Sequence, residues 1–216
     1  MPFKKSEFHY DPSLALYLKG RIDENNCGEV REELAKILYG DEDDKDESKK
    51  SKKKKNKNSK TPPAKRKNVN TKSHKPILWI DLFISSMGGE ENVAFALHDF
   101  IKYVLKINNL RTIAVGDVDS SATIIFCAGS RRLITPNTTM LIHGFRTLLE
   151  KDTALKETDI EHLYDDFHKT SQKYRNIFLQ ATNGKISEEQ LIQMIRKETI
   201  LTPKEILDMG LAHEII

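Results

Sequence analysis

Three short stretches of the 216-residue chain gather residue types suited to acyl transfer. Ser85-Ser86-Met87-Gly88-Gly89 closes an apolar run with paired glycines, which let backbone N–H groups approach a ligand or an oxyanion closely. Gly116-Asp117-Val118-Asp119-Ser120-Ser121-Ala122 sits where a strand passes into a helix, so its serines stand where free N–H groups and the helix dipole favour negative charge. The run TTMLIH ends on His143. A hydroxyl attacks at neutral pH only when a positioned base takes its proton, and a serine and a histidine at the carboxyl ends of strands supply that pair. Each stretch also has a plainer reading: a glycine turn, an N-cap at Asp119, Ser120 or Ser121, and a hydrogen-bonded structural histidine. Their combination is what points to chemistry.

The elements that must position these residues alternate along the chain. LALYLKG (14–20) reads as a strand, and a helix is expected from about Cys27 to Tyr39. ILWIDLFIS (77–85) is a nearly continuous apolar run, as for a strand buried on both faces. Val93, Ala96, Leu97, Phe100, Ile101, Val104 and Leu105 recur at helical spacing and predict one amphipathic helix. TIAVG (112–116) reads as a short buried strand, SATIIFCAG (121–129) as a buried helix and TTMLIH (138–143) as a strand. A long helix carries Ile160, Leu163, Tyr164, Phe167, Tyr174, Ile177, Phe178 and Ala181 on one stripe and stops at Asn183-Gly184. Ser187 with Gln190 forms a capping box for the next helix, and Thr202, Pro203 and Glu205 are N-cap, N1 and N3 of the last. LAHEII reads as a closing strand. The alternation predicts an α/β protein with a mostly parallel sheet.

Charge is unevenly distributed. The formal net charge is +3, yet residues 41–75 hold 14 basic and 6 acidic side chains, and the remaining 181 residues hold 21 and 26. A mildly acidic body thus carries one basic tract, which argues against a nucleic-acid-binding fold with basic residues spread over a face. The tract has almost no apolar residues and is expected to be a disordered insertion; the functional alternative is a tether to nucleic acid or an acidic partner. Three segments follow: 1–40, the insertion 41–75, and 76–216. Cys27 and Cys127 lie far apart with no metal-ligand spacing around either, so buried thiols are expected and no metal or cofactor is implied. No signal peptide and no membrane span are visible, and a cytoplasmic location is expected.

The order and spacing of these motifs resemble the proteolytic subunit of Clp protease (ClpP), within the ClpP/crotonase superfamily. SSMGG resembles the family's S-P-G-G loop, GDVDSSA its G-x-A-x-S-M-G motif, and PNTTMLIHG its P-N-x-x-x-M-I-H-Q motif. The helix from about 153 to 182, within a protruding unit spanning about 150–185, resembles the "handle" that joins two rings. ILTPKEILDMGLAHEI resembles the family's F-L-S-A-x-E-A-x-x-Y-G-L-V-D-x-I ending. The resemblance covers roughly residues 10–40 and 76–216. It implies the repeated β-β-α superhelix of the superfamily and a serine endopeptidase acting on peptides or unfolded proteins. Ser120 would be its nucleophile, His143 its base, and the backbone N–H groups of Gly89 and Ser121 its oxyanion hole. It also implies homo-oligomeric rings, in the family two stacked heptamers, and a possible AAA+ unfoldase partner.

The chain departs from the family at several points. Glu198, in Arg196-Lys197-Glu198-Thr199-Ile200, stands where the family carries the aspartate that orients the histidine; a glutamate serves that role on other folds. The alternative for Glu198 is a surface charge on a Lys-rich helix end. Asp117 and Asp119 flank the nucleophile where the family is uncharged, and there they would raise the His143 pKa or repel acidic substrates. Met87 replaces the proline of the first loop, and the turn at Ser130-Arg131-Arg132-Leu133 is about two residues shorter than usual. The segment that forms axial pore loops in the family is not recognisable in residues 1–10. Two other readings stay open: a catalytically impaired subunit of a mixed ring, and a crotonase-type acyl-CoA enzyme, which shares the fold but leaves Ser120 with His143 unexplained.

Overall fold

A computed structural model describes residues 8–40, 78–147, 149 and 151–216. The insertion expected at 41–75 lies outside the described residues. Strand β1 (Ala15–Ile22) leads through α1 (Glu24–Tyr39) to β2 (Ile80–Gly89), then α2 (Glu91–Asp99) and a π-helical stretch, Phe100–Leu105. Next come β3 (Leu110–Val118), α3 (Ala122–Phe126), β4 (Arg131–Ile134), β5 (Met140–Ile142) and the long α4 (Glu157–Thr182). The chain closes with α5 (Glu188–Arg196), β6 (Thr199–Leu201), α6 (Pro203–Asp208) and β7 (Glu214–Ile215).

Strands β1, β2, β3, β4 and β7 form one sheet in that order, every neighbour parallel. Its apolar face (Leu16, Leu18, Leu82, Ile84) is covered by Cys27, Val30 and Leu34 of α1 and by Val93, Ala94 and Leu97 of α2. The near-continuous burial of β2 and β3 follows from helices that pack a parallel sheet through its crossovers. Asp81, fully buried on β2, is held by Arg111 of β3 through two hydrogen bonds, 2.5 and 2.6 Å, so neither charge is left unpaired inside. Both cysteines are buried and free, and burial raises each thiol pKa to about 11.

Two expectations require correction. The helix predicted across 93–105 is α-helical only to Asp99; the chain then widens into a π turn and stops at Lys106, which adopts φ +52°. Residues 131–133, read as a turn, belong to β4 between β3 and β7. Its Arg132 is 7% exposed yet satisfied: Nε donates to Leu211 O and Nη2 to Ala181 O, at 2.6 and 2.7 Å. Thr199–Leu201, assigned to no element from the sequence, form β6, which pairs antiparallel with β5. The helix, the caps at Ser187 and Thr202 and the closing strand otherwise fall as expected.

Candidate active site

The site forms where the carboxyl ends of β2 and β3 meet the short β5–β6 pair. Gly88 and Gly89 end β2 under steric compulsion. A Cβ on Gly88, at φ +91°, would lie 2.7 Å from Ser120 Cβ, and one on Gly89 would lie 2.2 Å from Ile22 O. Only glycine lets this strand end press against the serine turn.

Ser120 adopts φ +55°, a left-handed conformation that costs a non-glycine residue on the order of 1–2 kcal/mol. Several hydrogen bonds hold it there. Asp119 N donates to Ser86 O (2.8 Å) and Ser120 N to Leu141 O (2.9 Å), while Leu141 N donates to Asp119 Oδ1 (2.7 Å). Both polar atoms of the Leu141 main chain are thus committed to the serine turn, two residues before His143. From below, Thr123 Oγ1 donates to Ser120 O (2.6 Å) and lies 3.2 Å from the Tyr174 hydroxyl, which ties the turn to α4. Burial raises the Tyr174 pKa well above that of a free phenol.

His143 is half-buried, and its Nδ1 lies 2.6 Å from Gly144 O. A carbonyl only accepts, so Nδ1 carries the proton and Nε2 presents a bare lone pair. Among the described residues no hydrogen bond joins Ser120 Oγ to His143. The β5–β6 register pairs Ile142 with Thr199, and one further step sets His143 opposite Glu198. Glu198, at φ +50°, does not bond the imidazole here; its Oε1 accepts from Arg146 Nη2 at 2.8 Å.

Ser121 is 2% exposed and carries two donors. Its backbone N–H has no acceptor among the described residues. Its Oγ accepts from Gly89 N at 2.8 Å, so the second donor expected for the oxyanion hole is already occupied. No side-chain cap bond forms at the head of α3, so Ser121 is not a conventional N-cap.

The acidic neighbours are structural. Half-buried Asp119 is the acceptor for Leu141 N–H; burial raises its carboxyl pKa, partly offset by that hydrogen bond and by His143. Asp117 accepts from Thr139 Oγ1 at 2.6 Å and lines a cavity of about 410 Å³ with Gly20, Arg21 and residues 85–88 at the end of β2. The spacing of the sequence does not signal the roles of Leu141, Tyr174 and Arg146, since each acts on a partner far along the chain.

Comparisons with known proteins show which family the chain is similar to. The profile of the family described as Clp protease matches residues 69–216. "ATP-dependent Clp protease proteolytic subunit 1" of Cutibacterium acnes (strain DSM 16379 / KPA171202) is 30% identical over 139 residues, which cover 63% of this chain and 62% of that protein. "ATP-dependent Clp protease proteolytic subunit 2" of Gluconobacter oxydans (strain 621H) is 29% identical over 154 residues, 67% of this chain and 61% of that one. The matches therefore span about three fifths of the length of these curated relatives. A solved ClpP1 point mutant from Listeria monocytogenes has the same fold, with a TM-score of 0.65 at 20% identity over 94% of this chain and 91% of that one.

Proposed function

The chain belongs to the Clp protease family, and from that premise we propose that it is a serine endopeptidase in which Ser120 is the nucleophile and His143 the general base. The observation that carries this reading is the Leu141 main chain: its C=O and N–H both bind the Ser120 turn, so nucleophile and base strand are held as one unit. The bare Nε2 of His143 and the unfilled N–H of Ser121 support the same roles.

Ser120 Oγ attacks the substrate carbonyl carbon as its proton passes to His143 Nε2. The developing oxyanion draws on Ser121 N–H, and on Gly89 N–H once the Ser121 hydroxyl rotates away; each such donor is worth about 3 kcal/mol in comparable enzymes. The C–N bond then breaks as His143 returns the proton to the leaving amine. A water, deprotonated by His143, hydrolyses the acyl-Ser120. In the state described, Gly144 O orients the imidazole; Glu198, which follows the Ile142–Thr199 pair by one residue, is the carboxylate that would stabilise the imidazolium. The ring assembly that the family implies would cover Ile160 and Tyr164, 57% and 69% exposed on α4.

The test is active-site labelling. A fluorophosphonate is expected to modify the wild-type chain, to do so more slowly with His143→Ala, and not to modify Ser120→Ala. Labelling that survives in Ser120→Ala overturns the assignment.

A further inference from the structure

A cavity of about 380 Å³ is walled by Glu91 at the start of α2, by Phe145 and Arg146 after β5, and by Asp166, Lys169 and Lys173 of α4. Two connections lead from it to the Ser120 turn and His143. Glu91 follows Gly89 by two residues, and Phe145 follows His143 by two. Phe145 also packs edge-on against Tyr174 (ring centroids 5.7 Å), whose hydroxyl meets Thr123 beneath the Ser120 turn.

The charges of the cavity are balanced only conditionally. Lys169 and Lys173 face Asp166 and Glu91, two against two. The fifth charge, Arg146, is neutralised from outside the cavity by Glu198, the residue opposite His143. One carboxylate therefore has two possible partners, and its present one keeps it from the imidazole. If Glu198 turns to His143 Nδ1, Arg146 is left as an unpaired guanidinium on the cavity wall, and the cavity carries a net positive charge.

We propose that this cavity is a specificity pocket for an acidic substrate side chain, and that Arg146 is the residue that reads it. A substrate carboxylate entering the pocket takes the Arg146 guanidinium in place of Glu198. The released Glu198 accepts the hydrogen bond from His143 Nδ1–H, so the substrate that fits the pocket also completes the catalytic set. No covalent step is added; one charge-assisted hydrogen bond is exchanged for another. This inference rests on the Ser120–His143 reading and adds the substrate class to it. Asp117 and Asp119 do not oppose it, because Asp119 is committed to Leu141 and Asp117 lines the other cavity.

The experiment uses peptides blocked at both ends, so that no terminal carboxylate competes, with Asp, Glu, Leu or Lys at either residue flanking the scissile bond. The wild-type chain is expected to cleave the acidic peptides about tenfold or more better in kcat/KM than the Leu peptides. Arg146→Gln is expected to bring that ratio to within about twofold and to raise kcat on the Leu peptides, because Glu198 is no longer held. Arg146→Glu is expected to shift the preference to Lys. Arg146 is 67% exposed, so both variants keep the fold, which a thermal melt verifies. Equal cleavage of acidic and Leu peptides by a wild-type chain that labels at Ser120 overturns this inference alone, as does an acidic preference that survives Arg146→Gln. A wild-type chain that neither labels nor cleaves any peptide overturns the peptidase reading as well.

Discussion

Ser121 exposes a tension within a single residue. Its backbone N–H is one donor proposed for the oxyanion, while its hydroxyl occupies the other, Gly89 N–H, at 2.8 Å. A side chain without the hydroxyl leaves Gly89 N–H for the substrate and spares the enzyme the loss of one hydrogen bond at each turnover. Such a bond is worth about 0.5–1.5 kcal/mol net, or roughly a two- to tenfold rate difference. Ser121→Ala is therefore expected to raise kcat/KM on peptides by about that factor with its melting temperature nearly unchanged. A drop of tenfold or more would mean that the hydroxyl itself donates to the oxyanion.

At the scale of elements, the site depends on a contact between two short pieces, the Ser120 turn and β5, that share no sheet ladder beyond the isolated Asp117–Thr139 bridge. Asp119 supplies that contact by accepting from Leu141 N–H. Asp119→Ala strands a half-buried amide and is expected to cost about 1–3 kcal/mol in denaturant unfolding. It is also expected to lower kcat more than it raises KM, since the base strand shifts relative to the nucleophile. Loss of stability with kcat unchanged would refute the positioning role. The sequence carried the elements that obey a period: β2 and β3 as apolar runs, α4 as a stripe, and the capped starts of α5 and α6 at Ser187 and Thr202. It hid those whose reason lies elsewhere in the chain. Arg131 and Arg132 read as a polar turn because their partners, Glu214 and the carbonyls of Ala181 and Leu211, are 49–83 residues away. Ser120, His143 and Glu198 are the positions to which the motifs point. The Arg146 grip on Glu198 is not legible there, because no periodicity marks an ion pair spanning 52 residues.

Across the whole molecule, one buried arginine joins the end of α4 to the far edge of the sheet. Arg132, on β4, binds Ala181 O at the end of α4, Gly129 O after α3 and Leu211 O before β7, while its own backbone N–H donates to His213 Nδ1 at 2.9 Å. That bond requires a bare Nδ1, so protonating His213 removes the acceptor and places a second cation beside Arg132. Burial is the chief cause of its lowered pKa, followed by Arg132, Arg131 and Lys185, all cationic. His98, 3% exposed on α2, is likewise lowered, mainly by burial and against the pull of Asp99. Both imidazoles bind a proton more readily in the unfolded chain, whose histidines titrate near 6.5. Folding stability is therefore undiminished above about pH 6.5 and falls as the pH drops through that value toward the lower folded pKa values of the two groups. Urea unfolding between pH 7.5 and 5 is expected to show this decline, and His213→Gln, which keeps an acceptor for Arg132 N–H but cannot ionise, to flatten it. The end of α4 shares the Arg132 hub, so amides in its last turn are expected to exchange faster in the acid range in the wild type than in His213→Gln. A stability curve that is flat across this range, or equally steep in both proteins, would show that His213 does not link protonation to the joint between α4 and the sheet.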